Sequence, residues 1–232
     1  LVLGKRHGWR RDPMRPHSLP LVLLGSGLLW FGWFGFNAGS ALGANGIAGL
    51  ALLNTQVATG AALIGWLLVE KIRDGHATSL GAASGAVAGL VAITPACAFV
   101  APWAAVVLGL IAGIVCALAV GLKYKFGFDD SLDVVGVHLV GGIWGCLSIG
   151  FFATVKTNSA GANGLFYGGG STLLLHQTIA VLVVVAYSFI ATFILAKVLD
   201  LIIGLRVSEE DEYHGLDLSQ HSETAYEVGV HA

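Results

Sequence analysis

The sequence has 232 residues, of which 56% are hydrophobic and 11% charged, and its formal net charge is −2. A soluble domain carries roughly 25% charged residues, so this chain has too little polar surface to cover a water-soluble globule, and lipid is its solvent. The balanced charge supplies no basic field for nucleic acid, and 33 glycines without a strict period beside only 5 prolines exclude a collagen-like or low-complexity chain.

The chain opens on Leu1 rather than Met, and Lys5-Arg6 follows the apolar Leu1 to Gly4 at once. No charged region precedes an apolar one, so this is not a signal peptide. Residues 1–18 read as the last turn of a helix that begins upstream, followed by a cytoplasmic loop. The chain therefore reads as part of a longer protein.

About 20 apolar residues cross the hydrocarbon core as a helix. Six such runs lie in residues 19–203, at approximately Leu19–Leu42, Ile47–Val69, Ser79–Phe99, Trp103–Leu122, Leu132–Ala153 and Thr172–Ile203. The last is long enough to tilt or to project beyond the bilayer. The predicted fold class is all-α, a polytopic transmembrane helical bundle. With six alternating spans, Lys5, Arg6, Arg10, Arg11, Arg15, Lys71, Arg73, Lys123, Lys125 and Arg206 all fall on one side, and Lys156 alone lies in an opposite-side loop. The excess of Lys and Arg marks that side as the cytoplasm. Both ends of the chain are then cytoplasmic. The tail, residues 204–232, is acidic at Glu209-Glu210-Asp211-Glu212 and reads as a solvated or regulatory segment.

Small residues recur four apart at Gly81, Gly85 and Gly89, at Gly109 and Gly113, and at Gly141 and Gly145. This spacing puts them on one helix face and predicts close packing of helices in lipid. Cys97, Cys116 and Cys146 lie in apolar runs and read as small core residues. No close Cys/His cluster suggests a metal, and no cofactor is implied.

Three places carry candidate chemistry. His138 sits inside the fifth run, and ionisable groups within a membrane face a cavity or a partner. Its neutral imidazole offers one donor and one acceptor, which suits a polar, hydrogen-bonding solute; the bland alternative is a bond to a neighbouring carbonyl. In the first run, Phe36 and Ser40 are four apart and share a face, with Ser40 about 6 Å nearer the outside. An outer hydroxyl beside an aromatic ring can hold a small cation, and the ring can close the path to hydrated ions. Trp30 and Trp33 alone would fit an interfacial aromatic belt, but Asn37 deep in the span requires a partner. Asp129, Asp130 and Asp133 precede the fifth run and read as helix caps rather than ion ligands.

The stretch Gly32-Trp33-Phe34-Gly35-Phe36-Asn37-Ala38-Gly39-Ser40 resembles the sixth-helix motif of the Amt family of ammonium transporters, within the Amt/Mep/Rh superfamily. Thr94-Pro95-Ala96-Cys97 resembles the end of the family's eighth helix, and Asp133-Val134-Val135-Gly136-Val137-His138 its tenth. Gly204-Leu205-Arg206-Val207, Glu209-Glu210, Gly215-Leu216-Asp217 and His221-Ser222-Glu223-Thr224-Ala225-Tyr226 resemble its cytoplasmic tail. These motifs cover essentially the whole chain, in order.

The resemblance implies helices six to eleven of an eleven-helix fold, that is, the second inverted five-helix repeat plus a long final helix, assembled as a homotrimer with one pore per subunit. Ser40 then matches the outer ammonium-recruitment position, Phe36 one ring of the phenylalanine gate, His138 one of two pore histidines, and Trp33 a position along the path below the gate. Arg206, Glu209, Gly215 and Asp217 match the regulatory tail, where a PII-type signalling protein docks in some members. The second gate phenylalanine, the recruitment tryptophan and the partner histidine belong to the family's first five helices, so six helices by themselves leave half the pore wall open. Ser222 stands where many members have glycine.

The function implied is passage of ammonium or ammonia across the cell membrane, without enzymatic chemistry. A sensor or receptor of the same fold is the alternative. An intramembrane serine protease using Ser84 and His138 is a remote one, because the discriminating Gly-x-Ser-Gly reads Ala82-Ala83-Ser84-Gly85 here.

Overall fold

The first four long helices each begin at a polar side chain that accepts a first-turn N–H, at a proline that has no N–H to satisfy, or at both. The computed structural model describes residues 1–12 and 14–224, so Ala225 and Tyr226 of the tail motif lie outside the described residues. Helix α1 (Leu19–Gly39) starts at Ser18, whose hydroxyl accepts from the Leu21 N–H, and carries Pro20 in its first turn. Helix α2 (Gly46–Asp74) starts at Asn45, which accepts from the Ala48 N–H, and stops at Gly75 with φ +81°, a left-handed cap that glycine adopts without steric cost. Thr78 caps α3 (Ser79–Ile93), and Pro102 opens α4 (Pro102–Ala119).

A short α5 (Leu122–Phe126) follows. A π-helical turn over Val135–Leu139 then leads directly into α6 (Val140–Phe152). The long α7 spans Thr172–Ile203, and two short tail helices, α8 (Glu209–His214) and α9 (Leu216–His221), come last. Among the described residues there is no strand, only an isolated antiparallel bridge between Val100 and Ala153. Leu1 to Gly4 are not helical. Five helical segments among the described residues are long and apolar enough to cross a membrane.

The third predicted run, Ser79–Phe99, is shorter as a helix than its hydropathy implies. Helix α3 has 15 residues and ends at Ile93, about 22 Å against a hydrocarbon core of about 30 Å. Pro95 has no N–H to continue the ladder, and its ring opposes the preceding turn. The chain then turns through residues 94–99. Non-helical backbone at membrane depth survives only inside protein, and this stretch meets that condition. Ala96, Cys97 and Val100 are buried. The fully buried Asn54 of α2 donates from Nδ2 to the carbonyls of both Cys97 and Val100, each at 2.8 Å. One amide thus serves two carbonyls that the broken helix leaves free.

The core is a tight cluster of α2, α3 and α4, and the predicted glycine stripes build it. A Cβ on Gly89 would lie 2.7 Å from the Thr59 Cα, and one on Gly85 would lie 2.7 Å from the Trp66 Cβ. From the other side, Gly109 and Gly113 of α4 press against the carbonyls of Ala58 and Ala62. The backbone of α2 is thereby held between glycines of two neighbours. Gly145 places α6 against the Ala92 carbonyl in the same way. The outer helices are different: Asn37 is the single buried residue of α1, and α7 has none.

Candidate functional site

The C-terminal half of α1 presents Trp33, Phe36 and Ser40 at helical spacings of three and four, so they run along one side of the helix. The Trp33 indole donates from Nε1 to the Thr94 hydroxyl at 2.7 Å, and Thr94 in turn donates to the Leu90 carbonyl at 2.7 Å. The short α3 is what brings Thr94, at its broken end, level with Trp33. The Trp33 ring then meets Phe36 edge-on, with centroids 5.9 Å apart. Phe36 itself is 61% exposed. The Ser40 hydroxyl donates to the Phe36 carbonyl at 2.7 Å. With its proton turned inward, that oxygen shows only lone pairs to the exterior, the polarity a small cation requires.

Asn37 faces the other way. It is buried, and its amide donates to the Thr55 hydroxyl at 2.9 Å, while Thr55 donates to the Ala51 carbonyl. The amide that demanded a partner finds one in α2 and serves to hold α1 there.

His138 stands on the π-helical turn, with its side chain exposed. Among the described residues, no hydrogen bond or ring contact joins it to Trp33, Phe36 or Ser40, or to Ser84 of α3. Of the three acidic residues before it, Asp130 acts as the cap, while Asp129 accepts from the Arg6 N–H at 3.0 Å instead. Asp130 accepts from the Val134 N–H at 2.9 Å and from the Val135 N–H at 2.8 Å, and Asp133 pairs with Lys123 at 2.6 Å.

The tail forms a second polar centre with residues 3–7. Arg206 donates to the Leu3 carbonyl at 2.8 Å and pairs with Glu212 at 2.6 Å. Glu212 also accepts from the His7 N–H at 2.8 Å, and the His7 and Tyr213 rings meet edge-on at 5.9 Å. The hydrogen bond from Arg206, and after it that from His7, holds the Glu212 carboxyl below the usual carboxylate range. Gly215, between α8 and α9, has φ +96°, a conformation that favours glycine. Glu209 lies in the first turn of α8 and Asp217 in that of α9.

Sequence reasoning singled out Arg206 but passed over its partner Glu212, whose only signal is a place in the acidic run. In the fold Glu70 is buried and accepts from the Trp66 indole at 3.2 Å and from the Thr78 N–H at 2.8 Å, fastening α2 to the start of α3.

A polytopic helical membrane protein with an aromatic and hydroxyl strip on one helix and a histidine on another defines the class. The Ammonium Transporter Family profile matches residues 1–226, and the chain belongs to that family. It is 55% identical over 235 residues to an ammonium transporter of Mycobacterium tuberculosis (strain ATCC 25618 / H37Rv), covering 99% of this chain and 49% of that protein. To an ammonium transporter of Bacillus subtilis (strain 168) it is 50% identical, covering 98% of this chain and 56% of that protein. The crystal structure of Candida albicans Mep2 superposes with a TM-score of 0.82 at 34% identity, over 90% of this chain and 48% of that one. A structure described as a sensor Amt protein superposes with a TM-score of 0.79 at 34% identity, over 88% of this chain and 49% of that one. The chain spans about half the length of the curated relatives it matches.

Proposed function

We propose that this chain is the second half of an ammonium transporter, in which an upstream half closes the other wall of the pore. Residues 19–203 supply six of its membrane helices, residues 1–18 a cytoplasmic loop, and residues 204–232 a cytoplasmic regulatory tail. The observation that carries the reading is the Ser40, Phe36 and Trp33 strip. It orders a hydroxyl with outward lone pairs, an exposed ring and an anchored indole along one helix, within a chain that matches the ammonium transporter family throughout.

Ammonium is recruited outside at a site that includes Ser40, where its N–H groups meet lone pairs and its charge meets an aromatic face. It sheds water before the Phe36 ring and gives up its proton, which crosses separately along the histidine pair that His138 completes with the upstream half. Ammonia then moves along an apolar path beside Trp33 and past His138, whose imidazole exchanges hydrogen bonds with it. Hydrated sodium and potassium are rejected, because the apolar walls offer nothing to replace their water. The complete protein acts in the cell membrane as a homotrimer. Its tail, through Arg206, Glu209, Gly215 and Asp217, offers the cytoplasmic surface for a PII-type signalling protein.

The test is the current evoked by an ammonium pulse in proteoliposomes of the full-length protein, with potassium in parallel. A transient for ammonium alone, altered by His138→Ala, is the expected result. Wild-type flux and selectivity in a well-folded His138→Ala protein would remove His138 from the path. Ligand binding without flux in the wild type would instead favour a sensor.

A further inference from the structure

The π-helical turn that carries His138 has a packing cause. Gly136 lies against Val120, where an added Cβ would come 2.8 Å from the Val120 Cα, and Gly141 lies against Cys116, 3.3 Å from its Sγ. Cys116 and Val120 are one α-turn apart at the end of α4 and its cap. The two glycines that meet them, however, are five residues apart. In a regular α-helix five residues rotate a side chain by about 140° out of register, and one glycine would turn away. A turn closed by an i→i+5 bond absorbs the extra residue. Both glycines then face α4. Val137 is buried with Gly136, and His138, midway between the glycines, projects outward.

Such a turn is intrinsically poorer than an α-turn and needs outside support. Asp130 supplies it, with one carboxylate oxygen on the Val134 N–H and the other on the Val135 N–H. Lys123 fixes the approach: its ammonium reaches the Asp133 carboxylate at 2.6 Å and the Asp130 carbonyl at 3.1 Å. Asp133, directly after a turn, is held at φ +57°, in the left-handed region that few residues other than glycine, asparagine and aspartate adopt.

We propose that Asp130 is a positioning residue for His138, with Lys123 as its support. The carboxylate stabilises the π-helical turn, and the turn aims the imidazole away from α4. Without the carboxylate the turn relaxes toward α-helical closure, the Gly136 contact with Val120 loosens, and the residue at 138 rotates. This rests on the reading of His138 as a conduction residue, but its test does not depend on transport.

The reporter is His138→Cys in the full-length protein, and the probe is the rate at which silver ion modifies that thiol, corrected with the protein that retains His138. Asp130→Ala is expected to change the rate by about fivefold, the population shift that follows from losing a helix cap. Asp130→Asn, which keeps one acceptor, should fall between. Where Asp130→Ala fails to fold, Lys123→Met carries the same comparison. An unchanged thiol rate in a folded variant, with an unchanged melting temperature, would overturn the proposal. Absence of both ammonium current and labelled methylammonium uptake in the wild type would sink the transport reading and leave the thiol rates to decide this one.

Discussion

The α2–α3–α4 core and the long α7 are both apolar, yet they are built from different residues and face different surroundings. The core helices meet through Ala58, Ala62, Gly85, Gly89, Gly109 and Gly113, and their backbones touch. Helix α7 is rich in Leu, Val, Ile and Phe and buries no residue against the rest of the chain. In water the larger side chains would be the better glue. In lipid, which is as apolar as leucine, they gain nothing by meeting one another, and association falls to small residues that allow close contact. Hydrophobicity thus puts both regions in the bilayer, and side-chain size decides how much of each is packed: α7 makes its backbone approach where Gly150 of α6 meets Leu174.

The sharpest way to break that comparison is Gly113→Leu. The new side chain meets the Ala62 carbonyl, which is backbone and cannot swing aside. Overpacking here should cost about 3 kcal/mol, seen as loss of folded protein or a lower melting temperature in detergent. Val183→Leu on α7, where Val183 is 60% exposed, should leave the melting temperature unchanged. Equal effects from the two substitutions would refute the distinction.

A smaller effect is expected where the core is held by polar groups. Asn54→Leu keeps the branching at Cγ but strips the carbonyls of Cys97 and Val100 of their donor. The expected cost is about 2 kcal/mol, with faster hydrogen exchange confined to residues near the end of α3. A neutral outcome would show that the broken helix end is satisfied without Asn54.

The smallest effect belongs to the periphery, where the tail is fastened by charge. The folded Glu212 carboxyl titrates below its free value, so the contribution is fully present above the free carboxylate range, near about 4.3. It is lost as pH falls through the lowered folded value. Glu212→Gln should weaken tail docking by less than about 1 kcal/mol, because the pair is partly exposed. Limited proteolysis after Gly204 should quicken in that variant at neutral pH, and in the wild type only under acid. An acid response retained in Glu212→Gln would assign it to another group.

The sequence by itself determined the solvent, the helix content and the packing faces, because hydropathy and small-residue spacing are local properties of the chain. It also placed the range of α7 and the caps at Asp130, since both follow from neighbouring residues. Tertiary structure decided the rest. Where α3 stops depends on Pro95 together with an amide from α2, and hydropathy runs on past Ile93 without noticing. The partner of Asn37 is Thr55, and that of Glu212 is Arg206 with His7, and residue type alone assigns none of these contacts. The spacing of Gly136, Gly141 and Gly145 is five and then four, legible in the sequence only as an irregularity. Its meaning comes from Val120 and Cys116 standing one turn apart on another helix. Interactions within one element repeat with the period of its backbone and can be read along the chain. Interactions between elements depend on relative position, which only the assembled fold defines.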